Sequence, residues 1–509
     1  MCASSFHPDV WTAGSALLLH RSSPEGKASR LSKSSAISIS RDWVLTHGTV
    51  LDPIVNTSDA ISKFISSITP GQLTEAPVEV AKQLEFSVLR ELNATIEQHI
   101  GRVAYAWICP LLMETFDRFF STWKFYERDM CRSPLQRVLF LLVRVDSDRP
   151  QKNPSTAEQA LRYLHTQSSS RSFARGAPVE IVSSPFGNLW LINSMAQGIV
   201  SNLIGGVVIT DAYVFPKSEG GPVYVVSPNS GNRTLVGMVI VTMTWCQNEW
   251  VHYTFAANLA LCLSVVLQQK HRPLPSIKST IRHDKPSALD RGVVMVTCGI
   301  NKGTGVLVDK DTGTFLTCSH VIEEAPEMEI SIVIFRGGRY SRVPAKLLFS
   351  NTEMLPYDVA VLRVEPSMLD PSLEPVQFSD APIVQGEPVV AVGFALLLST
   401  RPTVSCGIVS KSLDCMLMTT CCIQSGFSGG PIISRKTGRM LGMIASNVES
   451  MDSSVHYQRM SLSVPVAVLS KPLRQYLLTD NVDVLRSLVS DDPIVKKTWA
   501  LEFRLPSKL

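Results

Sequence analysis

Three side chains in the later half of the sequence have the types and settings for covalent hydrolysis: His320 in "FLTCSHVI", Asp358 in "LPYDVAVLRV" and Ser428 in "QSGFSGGPI". Serine is a feeble nucleophile until an imidazole takes its proton, a carboxylate fixes that imidazole's tautomer, and backbone N–H groups receive the oxyanion. The glycines around Ser428 address the last requirement, because a loop folded tightly there aims the amides of Gly426 and Ser428 at one point. A histidine after an apolar run, or an aspartate before one, is commonplace by itself. The Gly-x-Ser-Gly-Gly-Pro run is far more specific, and the order His, Asp, Ser joins the three into one set. The chemistry expected of that set is acyl transfer, with no metal and no cofactor.

The same turn occurs earlier in the chain. Residues 215–223 read "FPKSEGGPV", with Glu219 where the later copy has Ser428. Other pairs keep the same order: "RGAPVEIVSSPFG" with "QGEPVVAVGFALL", "QGIVSN" with "CGIVSK", and "VGMV" with "LGMI". The chain is therefore a duplication. Aligning "WVLTHGTVL" with "TFLTCSHVI" by their Leu-Thr pairs sets Thr49 opposite His320, so His47 is not the counterpart. Aligning "LLVRVD" with "AVLRVE" sets Leu139 opposite Asp358. All three working positions are replaced in the first copy, which cannot run this chemistry.

Short apolar or β-branched runs such as "VVMVTCGI", "TGVLVD" and "ISIVIF", separated by Gly, Pro, Asn or Asp, read as strands of a barrel or sandwich. Helical segments are expected to end each copy, near 255–270 and 464–478. Between the copies, residues 268–291 are rich in Pro, Lys and Ser and read as a linker. The organisation expected is a degenerate domain over 1–267, the linker, an active domain over 292–478 and a C-terminal tail over 479–509. Two insertions are expected in the first copy alone: a helical one over 74–129, including "LRELNATIEQHI" and "METFDRFF", and a Ser-rich irregular one around 147–172.

Composition removes several function classes. The chain has 509 residues, 45% of them hydrophobic and 18% charged, with a net charge of +4, which is globular and only weakly basic. No basic run interleaved with aromatics marks a nucleic-acid partner. The longest apolar run, "FAANLALCLSVVL", is too short to span a bilayer, and the start has no secretory-signal pattern. Eleven cysteines, irregularly spaced and without CxxC pairs, read as reduced core thiols. The last residues, Ser507, Lys508 and Leu509, spell a peroxisomal import address read by a receptor.

On "SGFSGGP", "TVSCGIVSK" and "PVVAVGF", residues 292–478 resemble the Deg/HtrA branch of the trypsin-like serine proteases. The resemblance implies an all-β-dominated fold of two tandem trypsin-like domains, each a pair of six-stranded barrels, the first degenerate and carrying helical insertions. It also implies His320 as general base, Asp358 as its orienter and Ser428 as nucleophile. Phe427 stands where digestive relatives carry an Asp, so activation by a freed N-terminus is not expected, and the residues after 478 are too few for a PDZ module.

By that match Cys422, Ile423, Ala445, Ser446 and Asn447 line the specificity pocket and offer no carboxylate, so a small or weakly polar residue is expected before the scissile bond. With the Ser-Lys-Leu ending, the chain resembles the members that trim protein precursors imported into peroxisomes, whose clients serve fatty-acid β-oxidation. Those members are clipped within the front half; the stretch from Cys109 to Cys131 is the candidate, and Pro110 argues against the bond directly after Cys109. The first copy is expected to bind substrate leaders, to control homo-oligomer formation, or only to add buried surface. Two other readings stay open: a general quality-control protease, and a non-catalytic double module that binds peptides.

Overall fold

The computed structural model describes residues 14–20, 32–55, 58–92, 95–127, 130–131, 134–146, 155–169, 173–242, 244–246, 249–267, 290–325, 327–336, 339–351, 356–395, 401–449 and 456–501. The import address at 507–509 and almost all of the expected linker lie outside those residues. The chain divides into two compact units, Met1–Arg282 and His283–Leu509. Each contains two large antiparallel β-sheets built from the short runs that the turn residues punctuate, and the first adds a small sheet of Lys124–Glu127, Met130–Cys131, Thr244–Cys246 and Glu249–Val251.

In the first unit, strands Gly14–His20, Lys33–Ser38, Trp43–His47, Glu85–Leu92, Thr95–Ile108 and Leu139–Val145 form a ring, with Thr74–Glu75 added outside it. The fourteen-residue strand Thr95–Ile108 closes that ring, because its first half pairs with Glu85–Leu92 and its second half with Leu139–Val145. A second closed barrel comprises Pro178–Ser183, Ser194–Ile204, Val207–Thr210, Pro222–Val226, Arg233–Val241 and Thr254–Asn258.

The second unit repeats the plan. Its first sheet runs from Val293–Cys298 through Asn301–Asp309, Thr314–Thr317 and Ile330–Arg336 to Arg339–Pro344, Lys346–Ser350 and Ala360–Arg363. Here the work of the long closing strand is divided between Arg339–Pro344 and Lys346–Ser350, which pair with Ile330–Arg336 and Ala360–Arg363 respectively. The second barrel is closed by Pro388–Gly393, Thr403–Ser412, Leu417–Thr419, Pro431–Ser434, Met440–Glu449 and His456–Pro465. Strand registers bear out the internal alignment: Thr46 pairs with Leu141 as Thr317 pairs with Ala360.

Two expectations about the insertions are corrected. "LRELNATIEQHI" is not helical; it lies in the hairpin of Glu85–Leu92 and Thr95–Ile108, and so belongs to the barrel. Its apolar residues satisfy a strand that is buried only in part, and cross-strand pairing from Glu85↔Arg102 to Leu92↔Thr95 overrides the helix-forming Glu and Leu content. Within 74–129 the described helices are Val78–Gln83 and Pro110–Phe119, the second holding all of "METFDRFF" but Phe120 and burying Leu111, Leu112, Thr115 and Phe116. The Ser-rich stretch, in turn, contains a helix, Ala157–Ser169, burying Ala157, Ala160, Leu161 and Leu164. Thr156 and Gln159 start it with a capping box: the Thr156 N–H donates to Gln159 Oε1 at 2.9 Å and the Gln159 N–H to Thr156 Oγ1 at 3.2 Å.

Helices follow the last barrel strands, Leu259–Leu267 in the first unit and Val466–Thr479 in the second. Beyond Thr479, where the sequence suggests only a tail, the chain continues into the core: Leu485, Leu488 and Trp499 are buried in the second unit's main cluster. Among the described residues no helix is long and apolar enough to cross a membrane. Of the nine cysteines whose side chains are described, seven are buried.

Candidate active site

His320 sits on a single 3₁₀ turn, Ser319–Ile322, immediately after the strand Thr314–Thr317. Asp358 lies two residues before the neighbouring strand Ala360–Arg363, and the pairing Thr317↔Ala360 brings both positions to the same end of the sheet. His320 Nδ1 is hydrogen-bonded to Asp358 Oδ2, and the His320 backbone N–H donates to Asp358 Oδ1 at 3.1 Å. The Asp358 side chain is 13% exposed and that of His320 37%, so the carboxylate sits behind the ring, which keeps its other face open. Ser319 fixes the aspartate's loop from below: its hydroxyl donates to the Val359 carbonyl at 2.8 Å and accepts the Asn351 N–H at 3.1 Å.

Ser428 is half-buried in a turn held from several sides. The Phe427 N–H donates to the Gln424 carbonyl at 3.0 Å, Gly430 N–H to the Phe427 carbonyl at 2.8 Å, and Gly429 N–H to the Ile444 carbonyl at 2.8 Å. Gly426 has φ +96° and Gly429 φ +86°, conformations that side chains disfavour. A Cβ on Gly429 would lie 2.1 Å from the Thr304 carbonyl oxygen. Among the described residues, the amides of Gly426 and Ser428 donate to no backbone carbonyl.

Two residues that sequence reasoning missed tie this turn to the rest of the site. Thr304, fully buried in Asn301–Asp309, donates its N–H to the Ser428 carbonyl at 2.8 Å and its hydroxyl to the Gly426 carbonyl at 2.6 Å. Cys318, also fully buried, donates its S–H at 3.1 Å to the Ile444 carbonyl that receives the Gly429 N–H, so the histidine and serine segments meet at one acceptor. Burial, and then the Asp358 charge, push the Cys318 thiol well above its ordinary value of 9.0, which keeps it a neutral donor. Ligand atoms of Cys318, His320 and Asp358 all lie within 4.8 Å of one another, with the imidazole and the carboxylate hydrogen-bonded to each other.

Phe427 is fully buried in the cluster with Val389, Ile423 and Ile432. The turn is thus anchored by an apolar ring. Of the expected pocket residues, Cys422, Ile423 and Ala445 are buried and Ser446 is exposed. The side chain of Asn447 lies outside the described residues.

The first unit has the same turn with different contents. Gly220 repeats φ +86° and donates to the Val239 carbonyl at 2.7 Å, as Gly429 does to Ile444. Glu219 is buried, and its carboxylate accepts from the Thr242 hydroxyl at 3.1 Å. Lys217, at the place of Gly426, has φ +73° although it is not glycine. Thr49 accompanies a buried His47, whose ring contacts the Thr49 hydroxyl at 3.1 Å and the Arg137 carbonyl at 2.9 Å. That imidazole is committed to structure. Cys109, at the start of the segment considered for clipping, is also buried, and the helix Pro110–Phe119 follows it directly.

Comparison with known proteins agrees with this arrangement. Residues 303–443 match the trypsin-like peptidase domain family. The human peroxisomal leader peptide-processing protease is 31% identical over 354 residues, covering 64% of this chain and 60% of the relative. The mouse protein of the same name is 30% identical with the same coverage, so the chain spans about 60% of the length of these relatives. A serine endoprotease from Yersinia pestis, known from its crystal structure, is 23% identical, covers 39% of this chain and 70% of that one, and has a TM-score of 0.31, too slight an overlap to bear on function. His320, Asp358 and Ser428 all fall within the residues that match the trypsin-like peptidase domain family.

Proposed function

We propose that this protein is a serine endopeptidase in which Ser428 attacks the scissile carbonyl, His320 takes the serine proton and later gives it to the leaving amine, and Asp358 holds the imidazole in the tautomer that makes this possible. The amides of Gly426 and Ser428 receive the oxyanion of the tetrahedral intermediate. No step calls for a metal or cofactor. The observation that carries the reading is the hydrogen-bonded His320–Asp358 pair next to a glycine turn whose two amides have no other backbone acceptor.

The substrates in this reading are precursors of peroxisomal matrix enzymes, above all those of fatty-acid β-oxidation, from which the enzyme removes leader peptides inside the organelle. The name of the human and mouse relatives supports that assignment. Cys422, Ile423, Ala445, Ser446 and Asn447 form a neutral pocket for a small or weakly polar side chain. Self-processing in the first half belongs to the same reading, as does self-association through that half.

Mass spectrometry of two digests tests this function. Purified protein is incubated with a leader-bearing matrix-enzyme precursor and, separately, with unfolded casein. One cut that releases the leader, with casein left largely intact, is the expected outcome. Casein degraded as fast as the precursor at many bonds would indicate a quality-control protease instead.

A further inference from the structure

Resting on the serine-protease reading, we propose that Thr304 is a positioning residue for the oxyanion site: its side-chain hydroxyl holds the Ser428 turn in the form that aims the Gly426 and Ser428 amides outward. Thr304 is fully buried in the strand Asn301–Asp309, far from Ser428 in sequence, and every polar group it has is engaged. Its N–H holds the Ser428 carbonyl, at 2.8 Å, and its hydroxyl holds the Gly426 carbonyl, at 2.6 Å. The same hydroxyl accepts the Phe394 N–H at 3.0 Å, and the Thr304 carbonyl accepts the Thr317 hydroxyl at 2.8 Å.

The peptide between Gly426 and Phe427 is thereby pinned on both sides, its carbonyl by Thr304 and its N–H by the Gln424 carbonyl. Glycine has little intrinsic preference among backbone conformations, so Gly426 at φ +96° needs an external hold to keep one of them. Without the hydroxyl, that peptide can rotate and no longer fixes the torsions of Gly426, so the preceding peptide, which carries the Gly426 N–H, loses the hold that aims it at the point it shares with the Ser428 amide. In the first unit, Ser34 and Ser35 hold the carbonyls at the matching places: Ser34 Oγ donates to Glu219 O at 2.7 Å, and Ser35 donates its N–H and hydroxyl to Lys217 O at 3.0 and 2.9 Å. The hold therefore shapes the turn in both copies, and in the second copy the shape points the amides.

The test uses the full-length chain, an alanine thiobenzyl ester peptide as substrate and the matching peptidyl trifluoromethyl ketone as a mimic of the tetrahedral state. Rates are taken per site titrated with a fluorophosphonate, so that unfolded chains do not count. Thr304→Val, which keeps shape and N–H but removes the hydroxyl, is expected to lower kcat at least about tenfold, below the roughly 10²–10³-fold cost of losing a whole oxyanion donor. KM stays within about twofold, ketone affinity falls in parallel with kcat, and Thr304→Ser regains most of both. Wild-type kcat per titrated site in Thr304→Val overturns the proposal. So does a loss that Thr304→Ser fails to restore or that the ketone affinity does not follow, since that pattern belongs to packing alone. Wild-type protein that no fluorophosphonate labels would sink the serine-protease reading itself, a separate result.

Discussion

At the scale of single residues, the three side chains should fail unequally. Ser428→Ala removes the nucleophile and should lower kcat by about 10⁶-fold, leaving only what the amides and substrate binding supply. Asp358→Asn keeps the size but puts an amide N–H donor where the carboxylate accepts from Nδ1, which fixes the wrong imidazole tautomer, so a loss of about 10⁴-fold with unchanged thermal stability is expected in steady-state assays. Cys318 gives a pH signature of a different kind. The folded protein keeps the thiol proton above pH 9, while the unfolded chain releases it, so this group costs stability as pH rises past its ordinary value of 9.0. Urea unfolding at pH 9 and 10 should show the wild type losing about 1 kcal/mol more than Cys318→Ala across that interval. Equal losses would mean that the thiol is solvated or ionised in the folded state.

The elements decide whether these residues meet. Gly429 and Gly438 both have positive φ, +86° and +70°, but a Cβ at Gly438 would meet nothing within 4 Å, whereas one at Gly429 would strike the Thr304 carbonyl at 2.1 Å. Gly438→Ala should cost only the conformational strain, about 1–2 kcal/mol. Gly429→Ala should cost clearly more and abolish activity, a contrast that paired denaturation curves can check. Trp499 supports the aspartate's loop from the C-terminal helix Pro493–Trp499: its ring meets Tyr357 edge-on at 6.0 Å and its indole N–H donates to the Cys415 carbonyl at 2.9 Å. Trp499→Ala should therefore destabilise the second unit by about 3–5 kcal/mol in chemical denaturation. No loss would show that these last elements are dispensable.

The sequence makes the proposed catalytic residues legible because acyl transfer demands particular types beside a glycine turn, and because the duplication supplies an internal control in Thr49, Leu139 and Glu219. The barrels are legible from short runs and turn residues, and the strand registers agree with the alignment read from sequence alone. The hairpin over Glu85–Ile108 is misread because its Leu- and Glu-rich stretch has helical preference, and long-range pairing decides the matter. The helix Ala157–Ser169 hides behind its serines, although its Thr-x-x-Gln start and its Ala and Leu spacing carry the signal. Thr304 leaves no trace in the sequence, because its partners are backbone carbonyls that any residue supplies.

As a whole, the molecule joins a unit that holds His320, Asp358 and Ser428 to a copy whose corresponding positions hold Thr49, Leu139 and a buried Glu219. The second unit has its own closed barrel and its own clusters of buried apolar residues, so residues 290–501 expressed alone should fold and react; selective leader release should then reveal what the first unit adds. The account is tested most directly by treating the full-length protein with a fluorophosphonate and mapping the adduct by peptide mass spectrometry. A single adduct on Ser428, absent in His320→Ala, is the predicted result. Folded protein that stays unlabelled, or carries its adduct on another residue, would contradict the account.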